Sequence, residues 1–152
     1  MTLRHAVATL AYRAAKALRD MPTSAATFRA TADTRTPVEI LAHMGDLLDW
    51  ALSSAEGRQA WKESQPLEWS AEVDRFFAAM RKLDDRLASA EPISVAETKL
   101  FQGPIADALT HTGQIAMLRR MAGAPMKGEN YFVARIQEGQ VGLEQTYPVR
   151  EF

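Results

Sequence analysis

The sequence predicts an all-α protein, a four-helix bundle in a single domain, on three observations. Four stretches repeat apolar residues at helical spacing, and none alternates them as a half-buried strand does. Two long connections, after the first and second of these stretches, let the helices lie side by side. At 152 residues the chain can bury one sizeable core and is short for two.

The first helix is read from Leu3 to Leu18, with Val7, Leu10, Ala11, Ala14 and Leu18 as its apolar stripe. Met21-Pro22-Thr23-Ser24 breaks it, and Ala25 to Arg35 reads as polar and irregular. The second helix carries an explicit start signal, TPVE. Thr36 can cap, Pro37 suits the first helical position, and Glu39 stands where a capping box needs it. Ile40, Leu41, Met44, Leu47, Leu48 and Ala51 form its apolar face, and Gly57 is its stop. The segment RQAWKESQPLEW reads as a connection packed on the bundle. Ser70 is taken as the cap of the third helix, which Val73, Phe76, Phe77, Met80, Leu83 and Leu87 run through to Glu91-Pro92. An early helical turn can fall between Ile93 and Gln102. The fourth helix is then read from Pro104 to about Met121, closed by Ala122-Gly123 and Pro125. Residues 126–152 form an extension packed on the bundle, with a short helix around Tyr131 to Ile136 and the rest extended.

Composition removes several functions. Hydrophobic residues make up 47% and charged residues 24%, the balance of an ordinary soluble domain. Net charge is −1 with both signs interspersed, so no basic face marks a nucleic-acid or anionic-membrane partner. Arg119-Arg120 with Lys127 and Arg135 is too sparse a cluster for DNA. No apolar run approaches the roughly 20 residues of a membrane span. The first 20 residues are broken by Arg and Lys and lack the core of a secretory signal, which favours the cytoplasm. With no cysteine, disulfides, Cys-ligated zinc, Fe–S clusters and a Cys nucleophile are excluded.

Two of the three histidines sit where chemistry can be built. His43 lies at the edge of the second helix's apolar face, either as a core-edge histidine satisfied by one hydrogen bond or as a ligand. In DALTHTGQ, Asp107 and His111 are four residues apart, about 40° around a helix, so both can face one cation. A same-helix Asp–His hydrogen bond explains that spacing equally well. Burial separates the two readings, because a buried carboxylate costs several kcal/mol unless it is paired or bound to metal. With His43 as third ligand the set leaves coordination positions open, the mark of a catalytic metal. His5, in the first turn of helix one, reads as solvent-exposed. Glu39, four residues before His43, offers a second carboxylate, but the capping-box role is preferred. Asp46 either accepts from His43 or stays solvated, and Gln114 can orient a ligand or a bound water.

TPVEILAHMGDLLDW and DALTHTGQIAMLRRMAG together resemble the second and fourth helices of the DinB/YfiT-like superfamily. The resemblance runs from the first helix to Met126. It implies an up-down-down-up four-helix bundle, commonly a homodimer, with a divalent metal held by His43, Asp107 and His111. The family's commonest set is three histidines, so Asp107 is a departure. Mycothiol-dependent maleylpyruvate isomerases look similar in carrying a carboxylate there, but a glutamate. Asp is one methylene shorter, and it lowers the charge of the site by one.

Two functions follow as expectations. One is a metal-dependent enzyme: a thiol-dependent transferase or isomerase, or a metal-assisted hydrolase, with water or a thiolate in the open positions. Zn or Ni suits the ligand set, as do Fe(II) and Mn. Its partners are a small-molecule substrate and a low-molecular-weight thiol such as the bacillithiol or mycothiol that the resemblance implies. The other is a non-catalytic homodimeric bundle that binds a small molecule or a protein, with Trp50, Trp61, Trp69, Phe76 and Phe77 lining a pocket or seam. The GENYF segment is expected to close over the site or to edge a dimer contact.

Overall fold

The computed structural model describes residues 2–152. Its helices are α1 (Leu3–Leu18), α2 (Thr23–Ala26), α3 (Pro37–Ala55), α4 (Trp69–Ala88), α5 (Glu97–Leu100) and α6 (Ala106–Met121). A π-helical turn, Phe101–Ile105, joins α5 to α6, and a 3-10 turn, Tyr131–Val133, lies in the tail. The protein is all-helical: among the described residues no strand forms, and Glu129 and Glu151 make one isolated antiparallel bridge.

Local chemistry sets the helix ends. The Thr2 hydroxyl accepts the His5 N–H and starts α1. At α3 the Thr36 hydroxyl accepts the Glu39 N–H while the Glu39 carboxylate accepts the Thr36 N–H, both halves of the expected capping box. The helix stops at Glu56, and Gly57 follows at φ +83°, where only glycine sits without strain. Ser70 is not the cap of α4, which starts at Trp69 with Glu68 before it. The reason is Glu72, whose buried carboxylate accepts the Leu67 N–H at 2.9 Å and fixes the turn earlier than Ser70 can.

Pro104 also behaves differently from the sequence expectation. It lies inside a continuous helical run that begins at Glu97. A proline ring meets the carbonyl four residues back in an α-helix and removes one hydrogen bond. The wider π turn accommodates both effects.

The four long helices close a ring: α1 packs on α4 and α6, and α3 packs on the same two. Leu10, Leu41, Met44, Leu48, Phe76, Met80, Leu83, Ile105 and Ile115 fill the interior completely buried. The Arg119 guanidinium, also buried, donates to the carbonyls of Ala17, Arg19 and Ala124. It therefore ties the end of α6 to the end of α1 and belongs to no basic surface.

The tail lies over α1 and α4. Tyr12 donates to Glu129 at 2.6 Å, Arg19 donates to the Leu143 carbonyl, and Arg81 donates to the Gly139 carbonyl. Val141 is fully buried beneath it. The expected short helix shrinks to the single turn Tyr131–Val133. Among the described residues, no helix is long and apolar enough to cross a membrane.

Candidate metal centre

Helices α3 and α6 pack together and bring His43, Asp107 and His111 to one place. His43 sits on α3 two turns beyond its cap. Asp107 and His111 share one face of α6. The His111 Nε2 lies 3.5 Å from Asp107 Oδ1, and the His43 Nε2 lies 3.7 Å from Asp107 Oδ2. The two imidazole rings meet edge to face with centroids 4.9 Å apart. One donor atom from each residue falls within 4.8 Å of the others, so the three can hold a metal ion. A tetrahedral ion with bonds of about 2.0–2.1 Å needs donors on the order of 3.4 Å apart.

The same distances bear on the Asp–His hydrogen bond that the spacing allows. At 3.5 and 3.7 Å neither imidazole hydrogen-bonds Asp107, since an N–H···O bond is about 2.7–3.2 Å long. The same-helix Asp–His hydrogen bond is therefore not what the spacing serves. His111 Nδ1 instead pairs with Gln114 Oε1 at 2.7 Å. A carbonyl oxygen can only accept, so in this pairing Nδ1 is the donor, and Nε2 is the nitrogen turned toward Asp107. That is the orientation a metal-bound histidine takes from its outer partner.

Burial and charge disfavour the protonated form of His43. Desolvation is the main cause that pushes its pKa below the ordinary imidazole value, with His111 and Arg35 acting the same way and Asp107 opposing them. A neutral imidazole is the form that ligates. The Asp107 side chain, by contrast, is 47% exposed. Contrary to the burial expected for it, solvent reaches the carboxylate, so neither a partner nor a cation is needed to offset desolvation.

The other residues singled out take different places. Asp46 is neither solvated nor paired with His43. It is buried, accepts the Ser64 N–H at 2.8 Å, and forms an ion pair with Arg75. Burial works to raise its pKa, but Ser64 and Arg75 hold it below the usual carboxylate value. Glu39 stays with its cap and an ion pair to Arg29 at 2.8 Å. His5 is exposed. Phe76 and Phe77 are core residues. The tail's hydrogen bonds and ring contacts go to α1, to α4 and within itself, and among the described residues none reaches the three ligands.

Two clefts flank the cluster. His43 lines a polar one of about 330 Å³, with Arg29, Asp33 and Glu63. His111 and Gln114 line a larger, mostly apolar one of about 710 Å³, with Ile40, Met117 and Leu118. Both volumes fall in the range of small-molecule sites or just below it. Thr34 and Arg35 line both.

Trp61, which sequence placed in a packed connection and among the aromatics of a pocket or seam, stands edge-on to His43 at 5.8 Å and to Trp50 at 6.0 Å. A Trp in a long polar loop is the signal that pointed to it. No protein-family model, curated protein or solved structure matches this chain.

Proposed function

We propose that His43, Asp107 and His111 bind a divalent cation, and that this chain is a DinB-like four-helix bundle performing metal-dependent chemistry on a small molecule. One observation carries the reading. Two imidazole nitrogens and a carboxylate converge at 3.5 and 3.7 Å, while Gln114 holds the outer nitrogen of His111. Histidines that only stabilise a fold spend their nitrogens on hydrogen bonds; here both Nε2 atoms remain available.

Zn or Ni fits two imidazoles and one carboxylate, as do Fe(II) and Mn. A bound cation supplies Lewis acidity, which lowers the pKa of a coordinated water or thiol toward neutrality. The chain's own residues do the rest. Asp107 contributes the negative charge that offsets part of the cation's. Gln114 keeps the proton on Nδ1 of His111. Ile40, Met117 and Leu118 set apolar surface beside His111. Two clefts meeting at one cluster suit a reaction between two small partners, a substrate and a low-molecular-weight thiol, better than hydrolysis of one.

Elemental analysis of protein purified without a His tag tests this reading. Near-stoichiometric divalent metal is expected in the wild type, and little in Asp107→Ala and His111→Ala. Equal metal in all three sinks it.

A further inference from the structure

The apolar cleft has one formal charge in its lining. Ile40 and Met117 supply apolar surface on two sides and Leu118 adds to it, while His111 and Gln114 bring the site's polar edge. Arg35 is the only residue of that lining with a full charge. It is exposed, and among the described residues its guanidinium makes no ion pair or hydrogen bond. The contrast with its neighbour is direct: Arg29, at the same end of α3, is bound to Glu39 and to the Thr34 carbonyl. Arg75 and Arg119 are likewise saturated by partners. Asp33 and Glu63 face the polar cleft and are absent from the apolar one.

We infer that the apolar cleft takes a small anion with an apolar body, a carboxylate of medium chain length, with its anionic end on Arg35 beside His111. An unpaired guanidinium offers a planar fork that matches a carboxylate with two parallel hydrogen bonds. The apolar wall contributes binding in proportion to the surface it covers. Arg35 is thus a specificity-determining residue, selecting the charge of the ligand, while Met117 and Leu118 select its hydrophobicity. The inference rests on the proposed function in one respect only: it makes this ligand the substrate by placing it against His111, one of the three candidate metal ligands.

The test is calorimetric titration with octanoate, 1-octanol and octylamine, with metal content measured on each sample. Octanoate is expected to bind more tightly than octylamine. R35Q should weaken octanoate about tenfold, as loss of a charge-assisted pair does, and leave 1-octanol and metal content unchanged. Arg35 is exposed and unpaired, so the variant keeps its fold. M117D, at a position 58% exposed, should weaken both octanoate and 1-octanol. The inference is overturned if R35Q binds octanoate as the wild type does, if octylamine binds as tightly as octanoate, or if M117D binds both ligands unchanged. Arg35-dependent octanoate binding by protein that holds no metal would uphold the inference and remove the metal reading. Full metal content with octanoate indifferent to Arg35 would do the reverse.

Discussion

Two carboxylates, Glu129 and Asp107, anchor two clusters of this protein, and they are treated in opposite ways. Glu129 has a side chain with no exposure, and its oxygens are saturated. Tyr12 donates to one at 2.6 Å and Lys16 to the other at 2.9 Å. The burial and that hydrogen bond push the Tyr12 phenol well above its ordinary pKa, so it remains a donor at any physiological pH. Asp107 is half open to solvent, and its two nearest nitrogens stand beyond hydrogen-bonding distance. The first cluster is complete as it is, and it clamps the tail to α1. The second is arranged but unsatisfied. A polar cluster whose members already bond one another holds a fold; one whose lone pairs converge on a common point is built to receive something.

Lys16→Ala should sharpen that contrast most. It leaves Glu129 buried with Tyr12 alone, and removing one partner of a buried pair costs about 3 kcal/mol. For a chain of this size that lowers Tm by about 10 °C in calorimetry, while metal content stays at the wild-type level. A metal content that falls along with stability would erase the distinction between the clusters.

Asp107→Ala should do the opposite. Metal affinity, followed by chelator competition, should fall at least about 100-fold, as expected on losing one of three ligands. The stability of metal-free protein should stay within about 0.5 kcal/mol of the wild type, because the carboxylate is half exposed and makes no hydrogen bond there. A metal-free variant that unfolds readily would make Asp107 structural after all.

Gln114→Ala comes next. Losing the partner that fixes the His111 tautomer should weaken metal binding about tenfold without removing it. An unchanged affinity would mean the 2.7 Å contact does no orienting.

Glu39→Gln gives the smallest effect and separates cap from ligand. Metal binding should not change. The Thr36 N–H is the main cause that holds the Glu39 pKa below the ordinary carboxylate value, helped by Arg29 and opposed by desolvation. A depressed folded pKa means the carboxylate stabilises at neutral pH and loses that contribution as pH falls through its folded value. The variant should therefore be about 0.5 kcal/mol less stable at pH 7. In urea titrations, the gap should close on acidification below about pH 4.

These contrasts also show what the sequence makes visible. Helix α1 runs between the residues that apolar spacing marks, and α3 begins where Thr36, Pro37 and Glu39 say it must. Both signals are local, written within one or two turns. The α4 start differs from the one Ser70 suggests: Glu68 holds the cap position with no side-chain cap bond, and Glu72 reaches back to the Leu67 N–H just before it. The α6 start was misplaced because a proline reads as a beginning unless the backbone widens around it. At the site, the four-residue spacing of Asp107 and His111 was legible because a helix enforces it. Asp46 was not, since its partner Arg75 lies on another helix 29 residues away. Arg35, and the contact of Trp61 with His43, are hidden for the same reason: only the fold brings loop residues to the ligands.

The widened turn at Phe101–Ile105 sets the angular phase of everything after it. One extra residue in a helical turn rotates the following side chains by about 100°, a little over a quarter circle. Leu100 before it and Pro104 and Ile105 at its end are all buried, so the run keeps an inward face through the turn. Asp107 and His111 face His43 because that rotation comes just before them. The turn acts as a screw stop: it lets a single continuous run keep its apolar stripe inward at both ends while aiming a carboxylate and an imidazole across to α3.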